Sequence, residues 1–121
     1  LYLVKKLLEK KYKTLVISCK TIRDKNNVAL STRNFLLDKS NLNIASKIYK
    51  SLKNIKKNIK NKKNILNFLK LKEAELKDNY NIKIDYLELR NEKNLKISKT
   101  INNSRLFIAY YLNNVRLIDN L

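Results

Sequence analysis

The chain has 121 residues and a formal net charge of +18, from 28 lysines and arginines and 10 acidic residues. One cysteine and no histidine exclude an intrachain disulfide, a Cys/His catalytic pair and a Cys/His zinc finger. Glycine, proline and methionine are also absent, and we interpret this skew as the drift of an AT-rich coding sequence. A hydrophobic content of 44% can supply the core of one modest domain.

The first predicted element is the tail of an amphipathic helix over residues 1 to about 12. Its apolar face consists of Leu1, Val4, Leu7 and Leu8. A continuous apolar run then predicts a strand over residues 14 to 22. Such a run is typical of a parallel sheet that is covered on both faces. Cys19 lies in this strand, so we expect a small core residue and not a nucleophile. The chain begins within the apolar pattern and without methionine, which indicates a fragment.

A loop over residues 24 to 34, here called the motif loop, carries Ser31, Thr32 and Arg33. Two hydroxyls beside one guanidinium suit the binding of phosphate, and a strand, such a loop and then a helix commonly hold a nucleotide. The same residues also fit a helix N-cap with a surface arginine. The spacing alone leaves both interpretations open. Earlier in the loop, Asn26 and Asn27 are expected to reach positive φ in place of glycine.

Two amphipathic helices are predicted next, from about Asp38 or Ser40 to Lys60 and from about Lys63 to Asp78. Apolar residues at helical spacing predict a core-facing stripe on each. The first stripe is Leu42, Ala45, Ile48, Tyr49, Leu52, Ile55 and Ile59, and the second is Ile65, Phe68, Leu69 and Leu76.

Lysines between these apolar positions carry most of the net charge. Clustered lysines raise the alternative of a basic nucleic-acid-binding module. No Cys/His finger or glycine-rich RNA-binding loop accompanies them. We therefore expect salt-sensitive, nonspecific binding to polyanions and no specific nucleic acid.

After Tyr80 the apolar period changes to two, which predicts three strands. In the first, Ile82, Ile84, Tyr86 and Glu88 should alternate with Lys83, Asp85, Leu87 and Leu89. The others span residues 105 to 112 and 115 to 118. Asn113 and Asn114 join them as a two-residue hairpin, for which a type I′ turn with both φ angles positive is expected. Together these elements predict a small three-stranded antiparallel sheet packed on two helices.

Only five arginines remain in this lysine-rich chain, at positions 23, 33, 90, 105 and 116. If drift replaces arginine wherever a point charge suffices, the survivors should mark sites that need a planar, always-charged fork. Arg33 is the candidate for phosphate contact. The expected structural ion pairs join Arg90, Arg105 and Arg116 with Asp85, Glu88 or Asp119.

Three segments occur in the order in which they occur in a known family. They are residues 21 to 34 (TIRDKNNVALSTRN), 84 to 91 (IDYLELRN) and 116 to 120 (RLIDN). In these, the chain resembles the C-terminal part of the pantothenate synthetase family, ligases that join pantoate to beta-alanine with ATP. It departs from the family's usual pattern at Lys20 (proline), Asn26-Asn27 (Asp-Gly) and Thr32 (serine).

The resemblance implies an α/β fold in two parts. Residues 1–22 would end a Rossmann-like nucleotidyltransferase domain, and residues 23–121 would form an α+β C-terminal lid that carries the ATP phosphate loop. The implied ATP-binding residues are Ile22 (main chain to adenine), Leu30 (flanking the phosphates), Ser31, Thr32 and Arg33 (phosphate oxygens). Magnesium would bridge those phosphates, although no carboxylate in this chain stands out as its ligand.

The family's reaction also follows from the resemblance. Pantoate and ATP give pantoyl adenylate and pyrophosphate, and beta-alanine then displaces AMP to give pantothenate. The histidine motif, the pantoate-binding glutamines and the Gly-Glu-Lys-Asp segment of the family belong to an N-terminal domain, so we expect no catalytic residue here and no activity of the fragment alone. A cytoplasmic homodimer without membrane contact is expected for the full-length protein. A structural adaptor that has lost catalysis is the third alternative.

Overall fold

A computed structural model describes residues 2 to 121. Leu1, assigned above to the apolar face of the first helix, lies outside the described residues. The elements in chain order are α1 (Tyr2–Tyr12), a 3₁₀ helix (Thr32–Leu36), α2 (Lys39–Asn58), a 3₁₀ turn (Ile59–Asn61), α3 (Ile65–Tyr80), β1 (Lys83–Asn91), β2 (Ser104–Leu112) and β3 (Val115–Asn120). The predicted two helices and three-stranded antiparallel sheet are confirmed.

The N-terminal stretch, residues 2 to 22, differs from its prediction. Helix α1 forms as expected, but none of its residues is buried. The strand predicted over residues 14 to 22 is wrong, because this segment has no regular structure, and Leu15 and Ile17 are 77% and 76% exposed. A strand needs neighbouring strands, and every strand within residues 2 to 121 belongs to the antiparallel sheet. Cys19 is exposed, so its predicted core position is also wrong.

Helices α2 and α3 begin at side-chain caps and bury the predicted stripes. The Asp38 carboxylate accepts from the Asn41 amide at 2.7 Å, and the Asn64 side chain accepts from the Asn67 amide at 3.1 Å. Asn81 ends α3 in the left-handed conformation at φ 49°. The buried members of the two stripes are Ala45, Ile48, Leu52, Ile55, Ile59, Ile65, Leu69 and Leu76.

The sheet has the order β1-β2-β3, and both pairings are antiparallel. A bulge at Asp85 interrupts the β1–β2 register, since Ile84 pairs with Tyr110 and Tyr86 with Ala109. The extra residue reverses the alternation predicted beyond this point. Leu87 and Leu89 are therefore buried in the same core as Ile84, which corrects the predicted faces of the second half of the strand.

Asparagine fills positions that glycine commonly takes. Positive φ angles occur at Asn27 (67°), Asn81 (49°), Asn103 (53°) and Asn113 (52°). In each predicted asparagine pair only one member has positive φ, so the type I′ expectation for Asn113-Asn114 is wrong, although the two-residue connection between the paired Leu112 and Val115 is confirmed.

The core lies between the two long helices and one face of the sheet. It extends into the motif loop and the segment after it, where Val28 is 6% exposed and Leu37 is 8% exposed. The intervening residues stay near the surface, and the 3₁₀ helix that contains Arg33 contacts β3. The fold thereby anchors both ends of the segment that carries the predicted site.

Candidate functional site

The first half of the motif loop is a closed turn organised by Asp24. Its carboxylate oxygen Oδ1 accepts hydrogen bonds from the amides of Asn26 at 2.8 Å and Val28 at 2.9 Å. Its own amide donates to the Val28 carbonyl at 2.9 Å. Across the neck of the turn, the Leu30 amide donates to the Ile22 carbonyl at 3.0 Å. Two of the predicted ATP-binding residues, Ile22 and Leu30, are therefore neighbours.

The second half of the loop begins the 3₁₀ helix. The Ser31 hydroxyl accepts from the Arg33 amide at 3.2 Å and is the N-cap of the helix. The helix-cap interpretation of this motif is thus confirmed at Ser31. A capping hydroxyl accepts through oxygen and keeps its own hydrogen to donate. Capping and contact with an anion are therefore compatible uses of the same side chain.

Asn34 bonds back to the middle of the loop. Its Nδ2 donates to the Ala29 carbonyl at 3.0 Å. Its Oδ1 is buried and has no hydrogen-bond partner among residues 2 to 121. Because an unsatisfied buried acceptor costs about 1–3 kcal/mol, this oxygen suits a donor from a ligand or from water.

A cavity of ≈ 230 Å³ lies between the motif loop, α2 and β3. Of the five predicted ATP-binding residues, Leu30, Ser31 and Arg33 line it, whereas Ile22 and Thr32 do not. The rest of the lining comes from α2, β2 and β3 and includes Tyr49, Tyr110 and Asp119. Sequence reasoning missed these three contributions, together with that of Asn34. The signal for Asn34 was its position directly after Arg33.

The five arginines divide into two groups. Four form ion pairs with carboxylates at N–O distances of 2.6 to 2.8 Å. The pairs are Arg23–Asp119, Arg90–Glu88, Arg105–Glu92 and Arg116–Asp85. The predicted ion pairs of Arg90 and Arg116 are confirmed, whereas the predicted partner of Arg105 is wrong, because it pairs with Glu92. Asp119 pairs with Arg23 and with none of those three.

Arg33 is the exception among the arginines. Its side chain is exposed at the mouth of the cavity and has no carboxylate within 4.0 Å among residues 2 to 121. A guanidinium without an internal partner, beside the Ser31 hydroxyl, can bind a phosphate through its planar fork. Of the predicted phosphate contacts, Arg33 and Ser31 line this cavity, whereas Thr32 does not.

Arg23 and Asp119 form the least exposed ion pair of the site, with side chains 15% and 11% exposed. Two guanidinium nitrogens meet the two carboxylate oxygens at 2.8 Å each. The hydrogen bond with Asp119 raises the pKa of Arg23. Burial is the main cause that raises the pKa of the neighbouring Tyr110 phenol; the charge of Asp119 adds to it and that of Arg23 opposes it. The cavity wall thus contains a carboxylate, Asp119, that is held in an ion pair with Arg23 behind it, and a neutral phenol, Tyr110.

Known proteins resemble this chain in both sequence and fold. The family model described as pantoate-beta-alanine ligase matches residues 1–121. A pantothenate synthetase of Ruthia magnifica is 38% identical over 101 residues, which are 83% of this chain and 36% of the relative. The fold matches a pantothenate synthetase of Thermus thermophilus with a TM-score of 0.85 and 23% identity, over 99% of this chain and 44% of that chain.

A second solved structure carries ligands. It is the pantoate-beta-alanine ligase of Francisella tularensis complexed with beta-gamma ATP and beta-alanine, with a TM-score of 0.64 and 28% identity over 98% of this chain and 38% of that protein. The chain thus spans less than half the length of these relatives. The alternative of a nucleic-acid-binding module receives no support from the comparisons. The chain belongs to the pantoate-beta-alanine ligase family.

Proposed function

We propose that this chain supplies the ATP-binding loop and lid of a pantothenate synthetase, which condenses pantoate with beta-alanine through pantoyl adenylate. The observation that carries the proposal is Arg33, the one arginine without a carboxylate partner among residues 2 to 121, placed beside Ser31 at a cavity in the family's motif. The Francisella relative was solved in complex with beta-gamma ATP and beta-alanine, which supports the use of ATP.

Each residue of the motif has a distinct part in this proposal. The Arg33 guanidinium neutralises charge on the phosphates, most of all on the departing pyrophosphate, where a charge-assisted hydrogen bond is strongest. The hydroxyls of Ser31 and Thr32 donate to phosphate oxygens. Thr32 lies outside the cavity lining, so its contact would come from the solvent side of the loop.

The adenine contact assigned to Ile22 is compatible with the turn geometry. The Ile22 carbonyl already accepts from the Leu30 amide. A carbonyl has two lone pairs, so one remains for the amino group of adenine. Leu30, 60% exposed, would lie beside the phosphates.

The metal expected with ATP has no protein ligands assigned here. Residues 2 to 121 contain no group of three or more His, Cys, Asp or Glu side chains that could hold a metal ion. Both oxygens of Asp119, the acidic residue that lines the cavity, are hydrogen-bonded to Arg23. Mg²⁺ would therefore be held through the phosphates of the nucleotide and not by these side chains.

The domain assignment is part of the same proposal. Residues 1–22 would belong to the nucleotide-binding domain and residues 23–121 to the lid. In support, none of residues 2 to 27 is buried, and the core begins at Val28. No helix within residues 2 to 121 has the length and apolarity needed to span a bilayer. Pantoate and beta-alanine as substrates, a homodimer and a cytoplasmic location remain proposals from the family.

The test is AMP release that depends on ATP, pantoate and beta-alanine, measured on the full-length product of the gene that encodes this chain. We expect Arg33→Ala to lower kcat/KM by ~10²-fold or more, as for other groups that stabilise transition-state charge. Arg116→Lys is the matched control, because Arg116 pairs with Asp85 away from the cavity. Absence of AMP release, or full activity of the Arg33 variant, would overturn the proposal.

A further inference from the structure

The Arg23 guanidinium joins three parts of the chain at one point. It pairs with Asp119 of β3 through two hydrogen bonds of 2.8 Å. It lies over the ring of Tyr49 in α2, with Cζ 4.0 Å from the ring centroid. Its Nη1 also donates to the carbonyl of Asn27 in the motif loop at 3.2 Å. One side chain therefore links the motif loop to both walls of the cavity.

This combination of contacts needs arginine. A planar fork can meet both oxygens of a carboxylate and stack flat on an aromatic ring at the same time, whereas a lysine ammonium is a point charge without a planar face and cannot do both at once. In a chain where lysine strongly outnumbers arginine, the contacts of Arg23 explain why a planar guanidinium is kept at this position. Its role is internal, because Arg23 does not line the cavity.

The contacts continue from Arg23 to the phosphate-binding candidates. Arg23 pairs with Ala29 in an isolated antiparallel bridge across the neck of the loop. The Ala29 carbonyl accepts from Asn34, which lies in the 3₁₀ helix that also carries Arg33. A shift of Arg23 relative to β3 would therefore move Ser31 and Arg33 relative to the cavity.

We infer that Arg23, held by Asp119 and Tyr49, is a positioning residue that sets the motif loop in place for the triphosphate of ATP. The inference rests on the proposed function. A pre-placed loop avoids the entropic cost of ordering the phosphate contacts when the nucleotide binds. Arg23 touches no phosphate itself, so its effect passes through Asp119 and the loop.

The experiment is a double-mutant cycle in the full-length gene product with Arg23→Lys, Asp119→Asn and the double variant. We expect each single variant to raise the KM for ATP by about 10-fold or more, because a small misplacement of binding groups has effects of this size or larger. The KM for ATP of the double variant should be no higher than that of the more strongly affected single variant, since both changes disrupt the same ion pair. The KM for pantoate should change less than 2-fold.

Two reference variants separate the possible failures. Arg116→Lys makes the same substitution at another ion pair of the same sheet, so a purely structural effect of losing a guanidinium would appear there as well. Arg33→Ala reports on the ATP site itself. If Arg33→Ala weakens ATP binding but Arg23→Lys and Asp119→Asn do not, the positioning role is wrong and the proposed function stands.

Independent, multiplying effects of the two changes would also overturn the positioning role, because they would show that Arg23 does not act through its pair with Asp119. If Arg33→Ala leaves the KM for ATP and kcat unchanged, the proposed function fails and the inference fails with it. Should Arg23→Lys not fold, Asp119→Asn, which is nearly isosteric, carries the test alone by its ratio of KM for ATP to KM for pantoate.

Discussion

The helix and sheet core, residues 39 to 121, and the N-terminal stretch, residues 2 to 22, have similar apolar patterns and different outcomes. In the core, the predicted stripes are buried, whereas in the N-terminal stretch Leu15, Ile17 and Ile22 are all more than 70% exposed. Helix α1 forms without burying a residue, but the predicted strand after it does not form. A helix closes its hydrogen bonds within its own segment, whereas a strand depends on neighbours.

The motif loop lies between these two regions in the chain and is held in place by contacts with the core. Val28 and Leu37 are buried, and the Arg23–Asp119 pair joins the loop to β3. The residues proposed to bind phosphate are exposed, as contact with a ligand requires. The loop therefore combines a fixed base with an accessible surface.

The largest expected difference between the regions concerns apolar side chains. Leu52, in α2, is 1% exposed, and Leu52→Ala should lower the free energy of unfolding by ~2–5 kcal/mol through lost contacts and a residual cavity. Leu15→Ala should change it by no more than ~0.5 kcal/mol. Urea denaturation of the 121-residue chain measures both, and equal losses would mean that the N-terminal stretch is packed against the core.

The next difference appears at alkaline pH and concerns Tyr110. Its raised pKa means that the folded chain keeps the phenol proton at pH values where the unfolded chain, near its ordinary pKa of ~10, has released it. The stability contribution is complete below pH ~10 and is lost as pH rises above it. Relative to Tyr110→Phe, the free energy of unfolding of the wild type should fall by ~1.4 kcal/mol between pH 8 and pH 11.

The matched control for this prediction is Tyr12→Phe, because Tyr12 lies in the N-terminal stretch and is 58% exposed. Its substitution should leave the alkaline loss of the wild type unchanged. If the Tyr110 variant shows the same alkaline loss as the wild type, the phenol ionises freely in the folded chain, and the cavity wall is wetter than the structure indicates.

The smallest expected difference concerns left-handed residues. Asn81 ends α3 at φ 49°, and the next amide, of Ile82, bonds to the Lys77 carbonyl at 3.2 Å. Asn81→Ala should cost ~1 kcal/mol, because alanine tolerates this conformation less well. Lys13, at φ 51° in the N-terminal stretch, is the control, and Lys13→Ala should have no measurable effect on thermal unfolding. Equal effects would indicate that both turns are equally constrained.

Local signals in the sequence predicted much of this fold. The periods of α2, α3 and the three strands, the start of α2 near Asp38 and the asparagine hairpin all arise from residues close together in the chain, and the structure confirms their positions to within a few residues. The bulge at Asp85 was missed, because an extra residue in one strand shows only when its partner is aligned with it.

The candidate site divides in the same way. The motif was recognisable from its order relative to the other family segments, and the resemblance implied the five ATP-binding residues, of which three line one cavity. Asp119 was assigned to the wrong group of arginines, since its partner Arg23 lies 96 residues away in the chain. No periodicity or spacing encodes a contact at that separation.

The sequence by itself determined the family, the order of the elements and the apolar faces of the two long helices, because these depend on residue types within a few turns of each other. Tertiary structure alone decided which apolar runs are buried, which carboxylate each arginine meets and that Arg33 meets none within residues 2 to 121. Burial and ion pairing are properties of surfaces in contact, and those surfaces exist only once distant segments pack together.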